Sequence, residues 1–309
     1  MKSSKKVVSV VGNLLMVASF AFIVRQVMRH DVDFSILTSP IVITGLLLTG
    51  LAVGFGILLA GLNFSWLIRN ITGSLVQRRL VIRVYCTSNM YKYLPGSVMY
   101  LLGRNRIAFE SKEVSHAQVA FATAMEGLFV FSAAIILIGL FVSEQAVFYI
   151  SQVRIPSFVW IIAGAVAVIG AILSVIFRQR LRVGLQKFVE SMRNFSPLAK
   201  VKRLATFLLI LLVLGLTYLA TLMLFGQEIT LGMVPTVIGL YLLAWVAGFL
   251  TPGASGGMGV CEVVLIMFLG NYLSTAIVLS SAIMHRLVTI VGDVCAYGMV
   301  MAYKAKTGK

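Results

Sequence analysis

Apolar residues run along this chain in long blocks, and short polar stretches between them hold most of the charge. A helix needs about 20 mostly apolar residues to cross the hydrocarbon core of a bilayer. Six blocks fit that length: 7–24, 39–68, 117–142, 158–177, 204–225 and 274–303. Two further blocks are broken. Residues 81–102 are interrupted by KYLPGS, and residues 233–269 by GFLTPGASGGMGVCE, 248–262, with five glycines and a proline. A break inside an apolar block leaves backbone N–H and C=O groups unpaired at membrane depth, so it survives only where protein or a water-filled cavity covers it. Breaks of this kind mark binding sites in transporters built from discontinuous helices.

Loop charge decides how the broken blocks run, because cytoplasmic loops are enriched in Lys and Arg. Lys2, Lys5 and Lys6 place the N-terminus inside, and Arg25 and Arg29 are offset by Asp31 and Asp33 after the first crossing. Arg69, Arg78, Arg79 and Arg83 follow the second crossing, and Arg104, Arg106 and Lys112 follow the first broken block. Both sets have an inside signature, so that block enters from the cytoplasm and returns to it. The loop at 178–203 is the most basic of the chain, with Arg178, Arg180, Arg182, Lys187, Arg193, Lys200, Lys202 and Arg203. With Lys304, Lys306 and Lys309 also inside, the second broken block must start and finish outside. The expected fold is all-α: a polytopic integral membrane protein of about six spanning helices plus two re-entrant hairpins. Its halves, 1–156 and 157–309, form an inverted-topology repeat within one transmembrane domain, and both termini are cytoplasmic. Leu185, Phe188 and Met192 recur at helical spacing in the basic loop, which suits a helix lying on anionic lipid.

Composition agrees with the block pattern. The 309 residues are 60% hydrophobic and 12% charged, against about a quarter charged in soluble domains. The net charge of +16 is dispersed over loops, which argues against nucleic acid as a partner. Cys86, Cys261 and Cys295 have no CxxC spacing and no histidine at ligand distance in sequence, so neither a disulfide framework nor a metal or other cofactor is expected. No cleavage pattern follows the first apolar block, which reads as a retained anchor.

Charge inside the apolar blocks is the candidate chemistry. Glu126 falls about 11 residues into its block, roughly 16 Å deep, where a carboxylate marks a pathway, a relay or an ion pair. Arg286 and Asp293 share one face of the last block, and either Glu126 or Asp293 is a candidate resting partner for the arginine. At the hairpin tips, Pro95, Gly96 and Ser97 are answered by Pro252, Gly253, Ala254 and Ser255, and the returning helices start just after Gly96 and Ser97 in one and Gly256, Gly257, Met258 and Gly259 in the other. Helices that start there would aim free N–H groups and positive dipole ends inward, toward a phosphate held by Arg104 and Arg286. His285 reads as a packed histidine, since no second histidine or cysteine accompanies it. Residues 253–256, GASG, match the GxSG motif of rhomboid proteases, with His285 as the base that a serine nucleophile at Ser255 would need. Only 30 residues separate the two, too few for the extra crossing that arrangement requires.

YKYLPGSVMYLLGR (91–104), Glu126, TPGASGGMGVCE (251–262) and HRLVTIVGD (285–293) together resemble the transmembrane region of lysylphosphatidylglycerol synthetases and their stand-alone flippase-like relatives. The resemblance implies a flippase for a phospholipid or a polyprenyl-linked glycolipid, in the cytoplasmic membrane of a prokaryote. Pro95, Gly96, Arg104, Glu126, Pro252, Gly253, Gly257, Gly259, Glu262 and Arg286 match its pattern, while Cys261 stands where a basic residue is common. No catalytic residue is assigned, and no synthetase domain follows the last block, so the chain is not expected to be an enzyme. The alternatives are an intramembrane hydrolase or transferase using Ser255 or Glu262, and a non-transporting scaffold of envelope assembly. The expected partners are a membrane lipid or lipid-linked glycan, with anionic lipid at 178–203. Oligomeric state is left open, a homo-oligomer among the options.

Overall fold

The computed structural model describes residues 38–73, 76–93, 99–111, 113–142, 195–251 and 255–307, with isolated helical positions at 186, 190, 192 and 193. The expected spans 7–24 and 158–177 lie outside the described residues. So do the tip residues Pro95, Gly96, Ser97, Pro252 and Gly253, and most of the basic surface helix. The chain divides into a unit formed by 1–143 and 203–309 and a smaller one, 144–202. Every residue of the candidate site belongs to the larger unit.

Among the described residues all regular structure is helical. The helices are α1 (Pro40–Thr72), α2 (Arg78–Asn89), α3 (Met99–Arg104), α4 (Arg106–Ser111) and α5 (His116–Phe141). They continue with α6 (Pro197–Leu224), α7 (Val234–Leu250), α8 (Val260–Leu269) and α9 (Thr275–Thr307). Four expected spans are recovered as α1, α5, α6 and α9. Each starts or ends within a few residues of the apolar block, because lipid penalises any unpaired backbone between. Local signals set the ends: Pro40 occupies the first turn of α1. At α5, Ser115 Oγ accepts from Gln118 N–H at 3.2 Å while Gln118 Oε1 accepts from Ser115 N–H at 2.8 Å, a reciprocal cap. Ile41, Leu48 and Phe55 on α1 are 77%, 61% and 62% exposed. On a helix of this length they face lipid, and the chain is a multi-pass membrane protein with five helices, among the described residues, long and apolar enough to span.

The fifth is the stretch Leu231–Leu250, made of a 3₁₀ turn and α7. The sequence pattern treats it as one arm of an interrupted block; by length and composition it also suffices to cross. Its continuation does not. At 10 residues α8 is about 15 Å long, half of the hydrocarbon thickness.

Both interruptions turn the chain back on itself. After α7, a Cβ placed on Gly248 would sit 3.0 Å from Gly257 Cα and 3.6 Å from Cys261 Cβ, so the start of α8 lies on the last turn of α7. Only glycine allows that backbone contact, and Gly257 also has φ +73°, in the left-handed region. In the first interruption α2 ends in a 3₁₀ turn, Met90–Tyr93, and the α3 residue Gly103 abuts Tyr91 and Ser88. The turn at Met90–Tyr93 lies beside the turn at Ser255–Gly257, so the two hairpins meet.

The long helices hold this pair. α1 and α9 cross with Gly54 against Gly292 O and Gly292 against Val53 and Gly50 O, the close backbone approach that small residues permit in membranes. The Gly292→Val substitution is expected to destabilise the protein by about 1–3 kcal/mol through overpacking. The check is a lower midpoint of thermal unfolding in detergent; an unchanged midpoint would mean that the crossing is looser than these contacts require. Arg203 ties α6 to α1, its guanidinium 4.6 Å from the Trp66 ring centroid and hydrogen-bonded to Asn63 Oδ1.

Candidate functional site

Among the described residues three buried carboxylates organise the interior, and each is partnered by a cation from another element. Glu126, the eleventh residue of α5, pairs with Arg104 at the end of α3; both are 5% exposed. Tyr85 on α2 donates its hydroxyl to the other carboxylate oxygen, Oε1, at 2.6 Å. The Arg104 guanidinium carbon lies 4.4 Å from the Tyr85 ring centroid, 4.9 Å from Phe64 and 5.5 Å from Tyr100. The charge is therefore enclosed by three aromatic rings, whose faces attract a cation stripped of water.

The second carboxylate is Glu262, third residue of α8. It accepts from the Gly259 N–H at 2.8 Å, so it faces the positive end of its own helix. Arg286 on α9 grips it with two parallel contacts, Nε to Oε1 and Nη2 to Oε2 at 3.1 Å, the planar fork that suits a carboxylate. The third guanidinium nitrogen, Nη1, reaches Gly256 O at 3.3 Å. The sequence offered Glu126 or Asp293 as resting partner for Arg286; the structure pairs it with Glu262. Asp293 is on the same helical face but about 10 Å along the axis, and the return of α8 brings Glu262 closer.

Asp293 is 1% exposed, and its partners come from the first hairpin: Asn89 Nδ2 donates to Oδ1 at 2.6 Å and Lys92 Nζ lies 2.7 Å from Oδ2. Sequence reasoning missed Lys92, Asn89 and Tyr85. A usable signal was present in KYLPGS, where a lysine immediately precedes the break. His285 is packed: Nε2 lies 3.0 Å from Thr217 Oγ1, and the ring meets Tyr218 and Tyr241 edge-on at 5.5 and 5.0 Å. Thr217 Oγ1 also lies within hydrogen-bond distance of Leu214 O, at 2.7 Å.

Between the hairpins is a cavity of about 510 Å³. Its charged wall is Lys92, Glu262 and Arg286, with the Gly256–Gly257 turn alongside. The remaining wall is mostly apolar or aromatic, contributed by α1, α6 and α7 with Tyr85 and Tyr100. Of the residues singled out in the sequence, Arg286, Glu262, Gly257, Cys261 and His285 line it. Arg104, Glu126, Gly259 and Asp293 stand outside the lining. Among the described residues no cluster of His, Cys, Asp and Glu has the make-up of a metal site.

No family model matches this chain, and no curated protein is significantly similar to it. The functional reading therefore rests on the residues and their geometry.

Proposed function

We propose that this protein moves a lipid with a phosphate-bearing headgroup, a phospholipid or a polyprenyl-phosphate-linked glycolipid, between the leaflets of a prokaryotic cytoplasmic membrane. The observation that carries this reading is the cavity between the two hairpins, with mostly apolar walls and one charged strip. A headgroup needs the strip and its chains need the walls.

In this reading both hairpins are re-entrant, the halves form an inverted repeat, and rocking of one against the other alternates access. A correspondence between the halves supports it. The first hairpin ends in Arg104 and the long helix after it carries Glu126 at its eleventh position; the second returns through Glu262, and Arg286 is the twelfth residue of the helix that follows. On the two long helices the position is kept to within one residue, and sign is exchanged. Arg286 is the headgroup contact in this state because it faces the cavity, while Arg104 is sealed against Glu126. The resemblance to the transmembrane region of lysylphosphatidylglycerol synthetases points the same way. The hydrolase alternative gains nothing from the site, since its base, His285, keeps Nε2 on Thr217.

Two measurements test the reading. Reconstituted in liposomes, the wild type is expected to expose fluorescent phospholipid or prenyl-phosphate analogues from the inner leaflet to a membrane-impermeant quencher, above protein-free vesicles. Single cysteines at Arg69 and Glu113, in a background without the native cysteines, are expected to label from one side of the membrane. Labelling from opposite sides would remove the first re-entrant hairpin. Absence of lipid movement, with a partner protein retained on purification, would favour the scaffold.

A further inference from the structure

We infer that the cavity takes phospholipids whose headgroup is neutral as a whole, a phosphate followed by an ammonium as in phosphatidylethanolamine, and that Trp245 and Phe249 receive the ammonium. This names the substrate class of the proposed lipid-moving function and rests on it.

The charge balance of the cavity comes first. Its lining holds three formally charged residues, Lys92, Glu262 and Arg286. Lys92 is paired with the buried carboxylate of Asp293, and Arg286 with that of Glu262. Two cations thus meet two carboxylates, and the neighbouring pair, Arg104 with Glu126, is balanced as well. The positive end of α8 is met by Glu262 too, which accepts from the Gly259 N–H at 2.8 Å. A headgroup with a net charge would carry into this mostly apolar chamber an ion that no group among the described residues neutralises, and such burial is strongly unfavourable. A dipolar headgroup adds no net charge. Its phosphate meets Arg286, and its ammonium needs a site of its own.

Aromatic rings supply that site. Trp245 and Phe249 on α7 stack at 5.5 Å with 29° between their planes, and Tyr100 of the first hairpin meets Phe249 edge-on at 6.2 Å. All three line the cavity. Aromatic faces attract an ammonium stripped of water, tryptophan most strongly. The Arg104 guanidinium already stands over Tyr85 and Tyr100, whereas no cation among the described residues stands over Trp245 or Phe249. α7 ends one residue after Phe249, so the negative end of its dipole is on the same turn and favours a cation there. This turn packs on the one that the arginine touches: Gly248, between the two rings in sequence, abuts Gly257, and Arg286 Nη1 reaches Gly256 O at 3.3 Å. The end of α7 therefore offers an aromatic face, and the start of α8 a guanidinium, to one ligand.

The test uses the purified full chain in an uncharged detergent at neutral pH and reads ligand-dependent thermal stabilisation with dioctanoyl phosphatidylethanolamine, dioctanoyl phosphatidylglycerol and dioctanoylglycerol. The wild type is expected to bind the ethanolamine lipid at least about tenfold more tightly than the anionic glycerol lipid, with dioctanoylglycerol weakest. Trp245→Leu is expected to bring the two phospholipids to equal affinity, and Trp245→Phe to retain part of the preference. Phe249→Leu is expected to reduce the preference, and because Phe249 is 45% exposed it serves where Trp245→Leu does not fold. Equal or tighter binding of phosphatidylglycerol by the wild type, or an intact preference in a folded leucine variant, overturns this inference and leaves the phosphate-lipid reading standing. If neither phospholipid stabilises the protein beyond dioctanoylglycerol, both fall.

Discussion

Glu126→Ala is expected to destabilise the protein by about 3–5 kcal/mol, the largest effect of any single substitution in this structure. The substitution removes the carboxylate that neutralises Arg104, and no other carboxylate among the described residues is placed to replace it. Arg104 is 5% exposed, is boxed by three aromatic rings, and already has Nε without a hydrogen-bond partner among the described residues. Arg104→Ala exposes the opposite problem, a carboxylate left with the Tyr85 hydroxyl alone. Removing both charges together, as in Arg104→Met/Glu126→Leu, is expected to recover much of the loss, because an apolar pair incurs no desolvation penalty. The measurement is the unfolding midpoint and the yield of monodisperse protein in detergent. A Glu126→Ala variant that melts with the wild type would show that water or another group reaches Arg104, and the sealed pair would have to be abandoned.

Arg286→Ala should act on function more than on stability. Its carboxylate partner keeps the Gly259 N–H at 2.8 Å and the positive end of α8, so the loss of the arginine leaves Glu262 partly compensated. Lipid movement, by contrast, is expected to fall by at least about tenfold, since the lost contact to a phosphate is charge-assisted and worth about 1.5–3 kcal/mol. Arg286→Lys is expected to recover little of it: an ammonium is a point donor and cannot hold Glu262 at two oxygens while offering a third group to the cavity. The initial rate of analogue exposure in liposomes, normalised to folded protein, is the readout. Wild-type rates in a well-folded Arg286→Ala protein would remove Arg286 from the lipid path.

These two residues also show what could be read from the sequence. The long helices were legible because a bilayer imposes a single length criterion, and α1, α5, α6 and α9 satisfy it with almost no ambiguity. The stretch Leu231–Leu250 shows the limit: a count of apolar residues cannot distinguish a hairpin arm from a complete crossing. Glu126, Glu262, Arg286 and Asp293 were visible as charges in apolar surroundings, which is a local property. Their partners were not, because pairing depends on where α8 and the turn at Met90–Tyr93 fold back, and only tertiary structure brings Glu262 to Arg286 or Lys92 to Asp293. Lys92 escaped notice for the same reason: beside a break it resembles a loop lysine until the two turns meet.

The order in which these ion pairs close bears on biosynthesis. Arg104 and Glu126 lie 22 residues apart, and Glu262 and Arg286 lie 24 apart. Each couple can neutralise itself soon after its own stretch leaves the ribosome, so neither waits in the bilayer as an isolated ion. The contact between Lys92 and Asp293 joins residues about 200 positions apart and is available only once α9 emerges. The two shorter-range couples can therefore settle independently, and α9 is the segment that fastens the first hairpin to the second.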